Sequence, residues 1–271
     1  GKTTLMSILL GLRAPTSGSA TVLGLDPATD GAQLRALVGY GPERNLLPED
    51  MPASDFVKHL AEVRGMPKDE ARGRASDALW LVGLGEERFR ACGTMSTGQR
   101  QRVKLAQALA ADPSLVFLDE PTDGLDPVQR DEMLALIHQI SGEYAIDVVL
   151  SSHLLEEVER ICDHVVALDA GRLIANGPLD ELVGSEEGVT LELVDVPDLP
   201  GAFEQVAAAL VASGLDVRPL GRPGAFDVVG SDADVVADVV RDVVADAGAR
   251  LRRVVRRRRR LEDLFHAEAV S

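Results

Sequence analysis

Aromatic residues are scarce, at 3% of 271 positions, with one Trp, and the chain has only two Cys. Basic residues are also outnumbered, 28 Lys and Arg against 44 Asp and Glu, for a formal charge of −16. A nucleic-acid surface needs the reverse, a basic face with rings on which bases can stack, so no nucleic-acid partner is expected. Cys92 and Cys162 make neither a disulfide framework nor a Cys-based metal pattern and read as ordinary thiols of a reducing compartment. No apolar run approaches the roughly 20 residues that cross a bilayer, and the start shows no signal-peptide pattern. Any membrane pathway is therefore expected to belong to another polypeptide. Aliphatic residues, by contrast, are plentiful, and a chain of this length can hold one substantial α/β core plus a small second domain.

The organising stretch is Met95 to Asp126. Ser96 followed by Gln99 has capping-box spacing, and Val103, Leu105, Ala106, Leu109 and Ala110 continue it as an amphipathic helix that stops before Asp112-Pro113. Such a helix start offers unpaired N–H groups to an anion, and Gly98 removes a side chain that would block a phosphate. The unbroken apolar run Leu115-Val116-Phe117-Leu118 predicts a parallel strand covered on both faces, which delivers Asp119 and Glu120 to its carboxyl end, the ligand edge of open α/β sheets. Alone, each feature has a bland reading, a cap or a solvated turn. Their order and spacing together carry the functional reading.

Ahead of this stretch, Gly1-Lys2-Thr3-Thr4 reads as the second half of a phosphate-binding P-loop and precedes a helix from Leu5 to Leu12. A strand is expected over Ala20 to Leu23 and a helix over Ala32 to Leu37, leading to Val38-Gly39-Tyr40-Gly41-Pro42-Glu43. Residues 45 to 93 read as helical, with Ser54 capping a helix to Val63 and a second helix, Lys68 to Leu81, placing Trp80 on its apolar side. Asp126 is an N-cap with Pro127 as the first helical residue, and the strand Asp147 to Leu150 ends in Ser151-Ser152-His153. Strands at His164 to Leu168 and Leu173 to Asn176 complete the core, and Gly184-Ser185 marks its exit. Residues 185 to 271 then run strand, helix, strand, strand, helix, strand, the order of a split βαβ domain, with a final helix Leu261 to Ala267. Arg252, Arg253 and Arg256 to Arg260 form a basic patch, read as a solvated strand end facing anionic lipid or an acidic partner.

These residues resemble the ATP-binding subunits of ABC transporters. Met95 to Gln99 is similar to the family's signature motif, Leu115 to Glu120 to its Walker B strand and catalytic Glu, and Gly124-Leu125-Asp126 to its D-loop. Gly1 to Thr4 resembles the end of Walker A, Val38 to Glu43 the Q-loop, and His153 the H-loop. Two departures stand out: Thr97 replaces the more common Gly, and Glu43 the usual Gln. The resemblance implies a P-loop NTPase core with a mainly parallel sheet over residues 1 to 184, an inserted helical subdomain, and a small ferredoxin-like domain over 185 to 271.

The resemblance further implies ATP and Mg²⁺ as cofactors, with Lys2 reaching the β- and γ-phosphates and Thr4 the α-phosphate side. Thr3, Glu43 and Asp119 would hold the metal, Glu120 would be the base, and His153 would contact the γ-phosphate. Ser96, Thr97, Gly98 and Gln99 would come from a second subunit, and Asp126 of the D-loop would join the nucleotide-binding residues. The implied partners are an integral membrane transporter subunit and a second ATPase subunit, forming a homodimer on the cytoplasmic face of a bacterial membrane. The ending Leu261-Glu262-Asp263-Leu264-Phe265 is similar to that of exporter ATPases and implies export. A full P-loop would need residues ahead of Gly1, so the chain as written is expected to bind ATP poorly. An inert ABC ATPase fragment and an ABC ATPase outside transport are the alternatives.

Overall fold

The computed structural model describes residues 1–44, 47–183, 186–194, 201–258 and 260–267. The chain divides into two compact units, one of residues 1–162 with 168–172, the other of residues 163–167 with 173–271. The division falls earlier than the expected exit at Gly184-Ser185, which lies outside the described residues. Among the described residues the strands after Cys162 pair with one another.

In the first unit the elements run α1 (Lys2–Leu9), α2 (Gly31–Leu37), β1 (Val38–Gly41), α3 (Ala53–Val63), α4 (Lys68–Leu81), α5 (Thr97–Leu109), β2 (Leu115–Asp119), α6 (Pro127–Tyr144), β3 (Asp147–Ser151) and α7 (Leu155–Ile161). The three strands form a parallel sheet in the order β1-β2-β3, with Leu118 opposite Gly41 on one side and Leu150 on the other. All five residues of β2 are buried. Its alternation explains this: Leu115 and Phe117 pack with Met6, Leu10, Leu34 and Val38, while Val116 and Leu118 pack with residues of α5 and α6 such as Val103, Ala106, Met133 and Ile137. A Cβ on Gly39 would lie 2.2 Å from the Ala108 carbonyl oxygen, so glycine there lets α5 approach β1.

Several local expectations fail for identifiable reasons. Ala20 to Leu23 makes no strand; among the described residues it contributes one bridge, Val22 to Leu25, because Leu23 and Gly24 both turn at positive φ. Ser54 does not cap α3. Pro52 starts that helix with φ already at −58°, and Ser54 lies inside it. Trp80 is 66% exposed, its ring shared with the Arg88 guanidinium 5.7 Å from the centroid, whereas Ala71, Ala75, Ala78 and Leu79 make the inner face of α4.

After α7 come the hairpin strands β4 (His164–Asp169) and β5 (Arg172–Pro178), which the second unit holds except for residues 168–172, and then, within that unit, α8 (Leu179–Leu182), β6 (Glu186–Val194), α9 (Ala202–Ala212), β7 (Asp216–Pro219), β8 (Ala225–Val229), α10 (Ala233–Asp246), β9 (Arg250–Arg258) and α11 (Leu261–Ala267). The last four-stranded sheet is antiparallel in the order β7-β8-β6-β9, the split βαβ arrangement. Val189, Leu191 and Leu193 of β6 pack on Val206 and Leu210 of α9 and Val236, Val240 and Val244 of α10.

The arginine-rich strand β9 is not a wholly solvated strand end. Arg257 is 8% exposed; its Nε donates to Asp227 at 3.0 Å and one Nη to both oxygens of Asp263 at 2.6 and 2.7 Å. Arg218 also donates to Asp263, at 2.7 Å. Asp263 thereby fixes α11, whose Leu261 and Leu264 are buried. Replacing Arg257 with Met would strand these carboxylates with one guanidinium fewer. Breaking a buried pair costs about 3 kcal/mol or more. Urea unfolding and amide exchange in β6 and β9 are expected to show that loss, and unchanged protection in the variant would contradict it.

Candidate active site

α5 begins at Ser96, whose hydroxyl accepts from the Gln99 N–H at 3.2 Å while the Gln99 side-chain oxygen accepts from the Ser96 N–H at 3.1 Å. Both halves of the capping box are thus present. Thr97 begins the helix, and a Cβ on Gly124 would lie 3.3 Å from its methyl group. A Cβ on Gly98 would lie 2.9 Å from the Gln129 side-chain oxygen. Gln129 in turn gives its backbone N–H to Asp126 at 2.9 Å, the N-cap bond of α6. Gly98 therefore also serves packing between α5 and α6, a role the sequence pattern did not indicate.

β2 ends at Asp119, which is 1% exposed. The parallel register sets Asp119 beside Ser151, whose hydroxyl donates to one Asp119 oxygen at 2.6 Å and accepts from the Glu120 N–H at 3.0 Å. The other oxygen, Asp119 Oδ2, is buried with no hydrogen-bond partner among the described residues. Such an acceptor is unusual unless something else meets it. Glu120 has φ of +48° and is 8% exposed. Its carboxylate lies between two partners: Lys2 Nζ is 2.7 Å from Oε1, and His153 Nδ1 is 2.7 Å from Oε2. The His153 backbone N–H points at the same oxygen at 3.3 Å.

Burial pushes the Glu120 carboxyl up, but the hydrogen bonds from Lys2 and His153 and their charges more than offset this and hold it below the ordinary value. Lys2 and His153 come from opposite ends of the first unit and meet at the carboxyl end of the sheet. Thr3 and Thr4 are exposed at the first turn of α1, beside Gly1. Glu43 is exposed just past β1, and its carbonyl accepts from the buried Lys104 ammonium at 2.9 Å.

A buried carboxylate outside the expected set closes the loops behind Glu120. Glu157 of α7, 4% exposed, accepts from the Thr122 hydroxyl at 2.9 Å and the Ser152 hydroxyl at 2.7 Å. Arg130 Nε lies 3.2 Å from its other oxygen, close enough to pair as an ion but without hydrogen-bond geometry. It thus joins the segment after Glu120 to the one before His153. The sequence pattern did not point to Glu157 or Lys104, because each acts through tertiary contacts.

Residues 1–123 match the family described as ABC transporter. NatA of Bacillus subtilis, an ABC transporter ATP-binding protein, is 32% identical over 196 residues, covering 72% of this chain and 79% of that protein. The chain belongs to the ABC transporter ATP-binding family. An uncharacterised ABC transporter ATP-binding protein of Nostoc sp. is 39% identical over 188 residues, 69% of this chain and 55% of that relative. The ABC ATPase chain thus spans about half the length of the first curated relatives it matches. Among solved structures, cbiO1 from Clostridium perfringens, part of the ABC transporter complex cbiONQ, superposes with a TM-score of 0.59 at 30% identity, over 67% of this chain and 74% of that one.

The family binds and hydrolyses ATP, with Mg²⁺ as the expected metal. Among the described residues no group of three or more His, Cys, Asp or Glu could hold a metal by itself. Mg²⁺ keeps waters and is bound by one or two carboxylates together with substrate phosphates. The unpartnered Asp119 Oδ2 is an acceptor of the required kind for a metal-bound water, and the residues present fit the ion.

The ion pairs at Glu120 imply an acid dependence of stability. The folded-state pKa lies below the ordinary 4.5, so the contribution is fully present above the unfolded value and is lost as pH falls through the folded one. Urea midpoints across the acid range will include this loss, and Glu120→Gln is expected to remove that part of it. An identical acid limb in wild type and variant would refute the pairing.

Proposed function

We propose that this ABC ATPase is the motor part of a bacterial transporter, binding ATP at a head-to-tail dimer interface and driving export through a separate membrane subunit. The observation that carries the reading is the Glu120 carboxylate set between Lys2 and His153 beside the unpartnered Asp119 Oδ2.

Lys2 sits on Glu120 here, and an incoming triphosphate offers it a stronger anion. When Lys2 turns to the β- and γ-phosphates, one oxygen of Glu120 is released to accept a proton from the attacking water. His153 keeps the other oxygen oriented and reaches toward the γ-phosphate. The N–H groups at the start of α5, from a second copy, stabilise the charge on that phosphate, with Thr97 and Gly98 leaving the approach open. Thr3, Glu43 and Asp119 would hold Mg²⁺, which when bound neutralises phosphate charge. Asp126 places the loop between the sites.

No helix among the described residues is long and apolar enough to cross a membrane. In this reading the ATPase is a peripheral subunit at the cytoplasmic face and the transmembrane path belongs to a separate subunit. Export is supported by the Leu261 to Phe265 ending and by the split βαβ order before it. The unit that carries them takes no part in the chemistry and tunes dimerisation or partner docking.

The test uses the whole protein that contains this chain. Glu120→Gln is expected to abolish steady-state hydrolysis, by about a thousandfold if general-base catalysis contributes its usual 10²–10⁴, while ATP still binds and accumulates a dimer by size exclusion. Near wild-type turnover in the variant would remove Glu120 as the base.

A further inference from the structure

Three consecutive residues at the end of β3 each meet a different buried acid. The Ser151 hydroxyl donates to Asp119 Oδ1 at 2.6 Å, the Ser152 hydroxyl donates to Glu157 at 2.7 Å, and His153 Nδ1 lies 2.7 Å from Glu120 Oε2. Ser152 braces the surrounding loops through Glu157, and His153 belongs to the site already described. Ser151 differs from both, because one hydroxyl serves two acids: while it donates to Asp119, its oxygen accepts the Glu120 N–H at 3.0 Å. Ser151 is 5% exposed, so bulk water does not replace either bond. The bond from Ser151 is also the only hydrogen bond that the Asp119 side chain makes among the described residues, which leaves Oδ2 without one. On the Glu120 side the accepted N–H belongs to a residue at φ +48°, a conformation costly to any side chain with a Cβ. A buried N–H left without an acceptor would make that turn costlier still.

We infer that Ser151 is a positioning residue that sets the two acids for their separate tasks. Its proton holds Asp119 Oδ1 against β3, so that Oδ2 is the oxygen left for a metal-bound water. Its lone pair fixes the left-handed turn from which the Glu120 carboxylate is aimed at the attacking water. The parallel register makes both bonds available to one side chain, since Ser151 lies directly opposite Asp119. The role rests on the reading of Asp119 as the metal-side acid and Glu120 as the base, and extends it to a residue that touches neither nucleotide nor metal. A serine that only filled space would need neither bond, and alanine would serve in its place.

The test uses the whole protein that contains this chain, with Ser151→Ala, which removes both bonds, and Ser151→Thr, which keeps the hydroxyl. Without nucleotide, Ser151→Ala is expected to lower the urea midpoint, and to lower it less in an Asp119→Asn background, where no buried charge has lost its donor. With Mg-ATP, Ser151→Ala is expected to lower kcat about ten- to a hundredfold, the worth of one hydrogen bond to a charged group, while KM changes little. Ser151→Thr is expected to recover most of that kcat. Equal midpoint losses in the two backgrounds, or wild-type kcat in Ser151→Ala, would overturn the proposal. Should Ser151→Ala not fold, Ser151→Cys takes its place, being close to serine in size but a weak donor. It is expected to lose kcat where Ser151→Thr retains it, and equal turnover by the two refutes the role. Normal turnover by Glu120→Gln would remove the base and leave the nucleotide-free urea comparison to decide whether Ser151 holds Asp119. A dead Glu120→Gln beside a fully active Ser151→Ala would remove the role of Ser151 alone.

Discussion

Placing two acids at the end of a strand buried on both faces is the constraint from which the first unit follows. β2 ends at Asp119 and Glu120, which are 1% and 8% exposed, and a carboxylate so far from water must find partners inside the protein. They come from distant parts of the chain: Lys2 from the start of α1, Ser151 from the end of β3, and His153 from the loop beyond. Buried ion pairs seldom raise stability above that of an apolar core, so the cluster is better understood as a device that fixes position. Its members are held by a second tier, with Glu157 joining Thr122 to Ser152.

The second unit solves a similar problem with the opposite charge. β9 is rich in arginine, and the one buried among the described residues, Arg257, needs anionic partners as Glu120 needs donors. Asp227 on β8 and Asp263 on α11 supply them, and Thr190 of β6 donates to Asp227 at 2.6 Å. The family-like ending of the chain thus has a physical explanation in this protein. Leu261 and Leu264 seat the helix by burial, and Asp263 locks it by charge.

How much of this could be read from residues alone depended on whether the cause was local. The capping box at Ser96 and Gln99, the helix Lys68–Leu81 and the apolar strand before Asp119 were legible, because each is set by spacing within one element. The failures at Ala20 to Leu23, Ser54 and Trp80 came from a turn at positive φ, a proline that outranked a serine, and an inner helix face built from alanines. In the site, residue types were legible but their partners were not. The contact of Glu120 with His153 depends on the β2 to β3 register that puts Asp119 against Ser151, and no periodicity specifies that alignment. Lys104 has no sequence signal of its own, since its burial and its bond to the Glu43 carbonyl depend on tertiary contacts.

The backbone of Glu120 turns through the left-handed region, at φ +48°, where any residue with a Cβ is strained and glycine is at ease. The backbone turn alone would therefore be easier without this side chain. A glycine here would relax the turn and take one buried charge out of the interior, leaving Lys2 and His153 to water. A strained and buried acid is thus the kind of position that thermostability-guided redesign would be the first to erase.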